Sequence, residues 1–224
     1  MANIFPRSSN WLPLQIIVIA TVLGTAVSVG AMYYLTPKYA RQGYQPVQPV
    51  AFPHNVHVEQ LGMDCRYCHS FVEVAAHSNI PTTQVCVNCH AQVQKDNPKL
   101  KPVMESWQTG RPIEWVQIHK TPDFAYFNHS AHVNRGVSCV SCHGRVDQME
   151  VVYHAKSHTM EWCLDCHRAP ETQLRPVEHV TNLAWQAPQN PGESAEDAQL
   201  RVGLGIKNKE GVNPPDKNCF GCHR

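Results

Sequence analysis

From Ile16 to Leu35 the chain carries no charged residue, and it shows no comparable apolar run elsewhere. Twenty residues at about 1.5 Å each reach about 30 Å, the hydrocarbon thickness of a bilayer. Trp11 precedes the run and Tyr33 and Tyr34 close it, where amphipathic rings settle at an interface. The pattern predicts a transmembrane anchor over residues 1–38. Val29-Gly30-Ala31 also suits a signal-peptide cleavage site, and we read the segment as a retained anchor. Arg7 before the span and Lys38 and Arg41 after it give little orientation. Ala20, Gly24 and Ser28 recur on one face, a spacing that admits a second helix, although ordinary small-residue usage explains it equally.

Beyond the span the pattern breaks up. Residues 39–51 are rich in Pro, Gln and Gly and read as a linker running along the membrane surface. With 17 prolines, long helices are expected to be few outside the span. One short helix is predicted from Ser194, as cap, to Arg201, ending by Gly203.

The cysteines change the picture. All ten fall in five copies of Cys-x-x-Cys-His: Cys65/Cys68-His69, Cys86/Cys89-His90, Cys139/Cys142-His143, Cys163/Cys166-His167 and Cys219/Cys222-His223. This is the attachment word for c-type haem. Two thiols three residues apart lie on one side of a helical turn and can each bond a haem vinyl, and the histidine that follows is held under the iron. Zinc takes four ligands, so five pairs would leave one unpartnered, and neither zinc nor a disulfide framework calls for a histidine after every pair. Five covalently attached c-type haems follow, and porphyrin faces are expected to supply most of the buried apolar area. We therefore predict a multihaem cytochrome c: one N-terminal transmembrane helix plus a haem-packed, mostly irregular domain with short helices and little or no sheet.

The haem region repeats. Phe52-Pro53-His54-Asn55-Val56-His57-Val58 returns as Phe127-Asn128-His129-Ser130-Ala131-His132-Val133, and His77 and His154 each stand nine residues before the next haem cysteine. The chain divides into a first di-haem unit (52–90), a connector (91–126), a second di-haem unit (127–167), and an extended tether with a fifth haem (168–224). The connector, with Trp107 and Trp115, reads either as a docking surface for a partner or as a packed loop over haem edges. The tether suits a chain reaching out across a neighbour.

Phe-x-His-x-x-His ahead of Cys-x-x-Cys-His resembles the class III multihaem cytochromes. That resemblance implies bis-histidine iron: His54 for the haem on Cys65/Cys68, His57 for a neighbour such as that on Cys86/Cys89, His129 for that on Cys139/Cys142, and His132 for one such as that on Cys163/Cys166. His77 and His154 then compete for the remaining irons. Over its full length, through the stretch Trp115 to His132 in particular, the chain is similar to the pentahaem membrane-anchored subunit of bacterial alternative complex III. The resemblance implies a bacterial inner-membrane location with the haem domain on the periplasmic face. It also implies partner subunits of an iron–sulfur/molybdopterin-like kind and quinol-binding membrane subunits. Nine histidines remain after the five proximal ones. The six supported by the repeat are the candidate distal ligands, and His158, four residues after His154, could replace it if that stretch is helical. His119 and His179 lack repeat partners. Met63, Met149 and Met160 offer a minority alternative, a methionine ligand.

Formal charge is +1 and no basic run exists, which argues against nucleic acid as a partner. About ten haem propionates would make the loaded protein acidic. Three functions remain. The favoured one is an electron-transfer subunit that relays quinol-derived electrons to a periplasmic cytochrome or terminal oxidase. A stand-alone quinol dehydrogenase similar to the membrane-anchored tetrahaem quinol dehydrogenases is disfavoured: in that family the first haem follows the span closely, whereas here Cys65 comes 30 residues after Leu35. A multihaem reductase with an open iron is disfavoured by the supply of spare histidines.

Overall fold

The structure, a computed structural model, describes residues 6–35, 40–209 and 217–223. Lys38 and Tyr39, where the expected anchor meets the expected linker, lie outside them. A 3-10 turn (Arg7–Trp11) leads into α1 (Leu12–Leu35), whose side chains are exposed almost throughout. The helix begins earlier than the uncharged run because Pro13 in a first turn costs no hydrogen bond. This is the one helix among the described residues long and apolar enough to cross a membrane. Thr21 donates its hydroxyl back to the Ile17 carbonyl at 2.8 Å, which hides a polar group in an apolar helix.

Eight shorter helices follow: α2 (Cys65–Cys68), α3 (Thr83–His90), α4 (Lys101–Thr109), α5 (His129–Val133), α6 (Cys139–His143), α7 (Met160–Arg168), α8 (Ala195–Lys209) and α9 (Cys219–Cys222). Among the described residues there is no sheet, only two isolated bridges, Ala125 with His223 and Val137 with Leu174. Every haem motif lies on a helical turn, and capping shows why it forms there. Asp64 and Ser138 stand directly before Cys65 and Cys139 and accept the Arg66 and Val140 amides. At the second motif of each unit the cap position lies four residues before the first cysteine, at Thr82 and Thr159. The two units thus share one alternation, a short turn starting at the cysteine and then a longer helix starting ahead of it.

Side chains alone make a small core. Val50, Val87 and Val103 form a buried cluster with Leu100, Met104, Ile113 and Trp115 packed against it, beside Cys86. The connector therefore docks α4 on the second motif's helix, and Thr83 and Ser106 join the two through hydroxyls 2.7 Å apart. Trp107 stays about half exposed.

Three expectations change. Residues 43–50 do not run free of the body: the Gly43 amide donates to the His154 carbonyl (2.7 Å), the His154 amide donates to Tyr44 (3.0 Å), and Val50 is in the core. The stretch after α7 packs on its own chain, with Leu174, Val180, Leu183, Ala187 and Ala198 buried. Helix α8 runs past Gly203 to Lys209, although Ser194 does cap it by accepting the Asp197 amide at 3.1 Å. Gly203 is there for close approach: a Cβ would overlap the Glu171 carbonyl of the neighbouring turn.

Candidate haem sites

The histidines are held by one recurring device. Nδ1 of His57 donates to the Pro53 carbonyl at 2.9 Å, and that of His132, at the equivalent position, donates to Asn128 at 2.7 Å. His129 donates to Ala76 (2.9 Å). Among the motif histidines, His69 donates to Asn79 (2.8 Å), His90 to Val93 (2.9 Å) and His223 to Phe124 (3.0 Å). A carbonyl oxygen can only accept, so each ring carries its proton on Nδ1 and turns a bare Nε2 lone pair outward. That is the tautomer a metal-binding histidine needs.

Ring spacing tests the fit to haem. Two imidazoles on opposite sides of one iron, each nitrogen about 2 Å from the metal, hold their centroids about 6 Å apart. His57 and His90 stand 6.2 Å apart, and His132 and His167 6.1 Å. His129 and His143 are 6.5 Å apart with planes only 12° from parallel. The phenyl rings ahead of them repeat the geometry. Phe52 meets His54 at 4.8 Å and 85° and His57 at 4.3 Å and 25°; Phe127 meets His129 at 4.7 Å and 85° and His132 at 4.5 Å and 30°. His54 caps a π-helical turn over Asn55–Gln60 that carries His57, and α5 carries the second pair. Exposed apolar side chains beside the motifs, among them Tyr67, Phe71, Phe124 and Phe220, offer surfaces for porphyrin faces.

His154 and His158 do not share a helix face, since residues 152–159 are irregular and His158 adopts a left-handed φ of 49°. Their rings nevertheless lie 4.6 Å apart. His154 is fully buried with neither ring nitrogen hydrogen-bonded. His158 uses Nε2 on the Cys142 carbonyl (3.1 Å), the reverse of the recurring device. His119, ranked low on sequence, joins this group at 4.3 Å from His143 and 5.2 Å from His154, and its buried Nε2 is unpartnered. Only the stretch Trp115–His132, on which the family resemblance rests, hinted at it. His77 is exposed, on the loop that holds α5, and His179 stacks on Trp185 at 5.5 Å.

Burial holds His54 and His119 down to about 4 and His143 well below the usual histidine range, so these rings stay neutral, as ligands must. All ten cysteines are unbridged. Burial pushes the Cys142 thiol up to about 12 and raises Cys68, Cys86, Cys163 and Cys166, the opposite of an activated thiolate. Among the described residues no group of three or more histidine, cysteine or acidic side chains is placed to hold a metal ion.

Paired cysteines on short helical turns, paired imidazoles and no sheet among the described residues make up a multihaem cytochrome domain. Residues 50–107 match the family described as cytochrome c7 and related cytochrome c. Over 182 residues, covering 80% of this chain and 78% of the relative, the chain is 28% identical to the menaquinone reductase multihaem cytochrome c subunit of Nitratidesulfovibrio vulgaris. These matches point to a multihaem subunit and do not single out alternative complex III.

Proposed function

We propose that this chain is a membrane-anchored electron-relay subunit of a quinone-linked respiratory complex, carrying five c-type haems on its five Cys-x-x-Cys-His words. The observation that carries it is the pairing of imidazoles at 6.1–6.2 Å, with His57, His90 and His132 each anchored through Nδ1 to a backbone carbonyl. Haem iron with two imidazole ligands supplies one-electron exchange and leaves no position for substrate. The chain's part is to keep those ligands still: each Nδ1–carbonyl bond fixes tautomer and ring direction. We assign His54, His57, His129 and His132 as distal ligands, and His77, His154 and His158 as the remaining candidates.

The named relative supports a link to menaquinone, and the resemblance to alternative complex III supports quinol oxidation, with electrons leaving to a periplasmic cytochrome or oxidase. A relay of fixed ligation runs in either direction. Partners would include quinone-binding membrane subunits and an iron–sulfur/molybdopterin-like subunit, with α1 in the inner membrane and the haem domain on the periplasmic side. The test is stopped-flow mixing of menaquinol with the native assembly and with the isolated holoprotein. Haem reduction in the assembly alone is expected. Rapid reduction of the isolated chain would instead make it a self-sufficient quinol dehydrogenase, and no reduction in either would end the relay reading.

A further inference from the structure

We propose that the five sites, numbered in chain order, lie in one line as second, first, third, fourth, fifth, with the second and fifth as the points of exchange with partner redox centres. This rests on the reading that each word binds haem. The two units dock reciprocally. Asn55 and Ser130 each follow the first histidine of their pair, and Met149 and Ala75 each lie six residues after their unit's first motif histidine. The Asn55 amide donates to the Met149 carbonyl at 3.1 Å, and the Ser130 amide donates to the Ala75 carbonyl at 3.2 Å. Residue i of one unit meets j of the other, and j meets i, which is the signature of an approximate twofold.

A twofold places one pair of equivalent sites innermost. That pair is the first and third, because neighbouring residues bind both motifs: Cys65 approaches the Thr181 carbonyl at 3.9 Å, and Ser138, directly before Cys139, donates to the Val180 carbonyl at 2.7 Å. The second and fourth sites are then outside them. Phe52 packs on both His54 and His57, and His57 faces His90 of the second site. On the other side, His158 bonds the Cys142 carbonyl and lies 5.0 Å from Trp162, next to Cys163 of the fourth site.

The fifth site extends the fourth. Tyr126 donates its amide to the Cys222 carbonyl at 2.8 Å, and the next residue, Phe127, stacks on His132, which faces His167. Exposure agrees independently. Of the ten cysteines only Cys89 and Cys219 are exposed, one at each end of the proposed line.

The experiment is a map of iron positions in the native holo-assembly, by cryo-electron microscopy or iron anomalous scattering. Expected is that the first and third irons are mutual inner neighbours, that the second touches only the first, and that the fifth touches only the fourth. The nearest redox centre of any partner should lie beside the second or fifth. A second iron nearest the third or fourth, or a partner centre nearest the first or third, would overturn the line. The relay reading fails separately, through loss of electron exchange with quinone while this order of irons stands.

Discussion

Phe52 and Phe127 hold their histidine pairs at nearly the same angles, yet the two units meet different surroundings. Nδ1 of His54 is buried without a hydrogen-bond partner, whereas Nδ1 of His129 leans on Ala76 of the other unit. The first motif histidine of the first unit sits against Asn79, while its counterpart His143 is crowded by His119 and His158. What the two stretches share is local: the phenyl–imidazole contacts, the cap positions, and the i−4 carbonyl under His57 and His132. What differs comes from sequence outside the repeat, the connector supplying His119 and the stretch after α7 supplying the buried lid of Leu174 to Leu183. Equivalent residues are therefore expected to respond alike where the contact is local and unlike where the lid intrudes.

The largest contrast is at two left-handed glycines. Gly62 (φ 68°) and Gly136 (φ 84°) close the histidine turns of the two units. A Cβ at Gly62 meets nothing within 4 Å, but one at Gly136 would collide with the Arg175 carbonyl. Gly62→Ala should cost about 1–2 kcal/mol, the price of a left-handed residue with a side chain. Gly136→Ala adds a backbone overlap, and little folded holoprotein should be recovered from it. Yield of haem-loaded protein and thermal midpoints check this; equal effects at both glycines would remove the lid from the account.

Ligation comes next. His57→Ala and His132→Ala should each make one iron bind carbon monoxide in the reduced protein, with matching spectral amplitudes. His129→Ala should open the third site in the same way. His119→Ala should not, because a ring 4.3 Å from His143 leaves no room for iron between them. Carbon monoxide binding by His119→Ala, with none by His129→Ala, would reverse that assignment.

The smallest contrast is between the caps. Ser138→Ala should cost about 1 kcal/mol as a lost cap, and more because it leaves the buried Val180 carbonyl without its donor; Asp64→Asn keeps a cap of equal rank and loses only the exposed pair with Arg66, about 0.5 kcal/mol. They differ in pH. The Arg66 side chain holds the Asp64 carboxyl at about 2, below its usual 3.8. Its contribution is complete above pH 3.8 and is lost as pH falls through the folded value near 2, whereas Ser138 contributes no such slope. Acid titration of the two variants against the parent protein separates the two; an unchanged acid limb in Asp64→Asn would show the ion pair to be inert, as exposed pairs often are.

Much of this was legible in sequence because it is local. A cysteine pair with its histidine and a preceding cap reads directly, and so did the repeat of Phe-x-His-x-x-His and the uncharged span. The path of the chain after α7 was not legible. Gly203 reads as a stop, and only the Glu171 carbonyl against it shows a close crossing instead. His119 was ranked low for the same reason: its place beside His143 is fixed by contacts between segments far apart in sequence, which no spacing encodes. The linker looked free because Gln48 and Gly43 find their partners at Val116 and His154.

The central claim is that each of the five words holds one haem through two sulfurs. Intact-mass measurement of the purified, denatured holoprotein tests it most directly. A single species heavier than the polypeptide by five covalently bound haems is the expected result; a mass with fewer, or none, would contradict it.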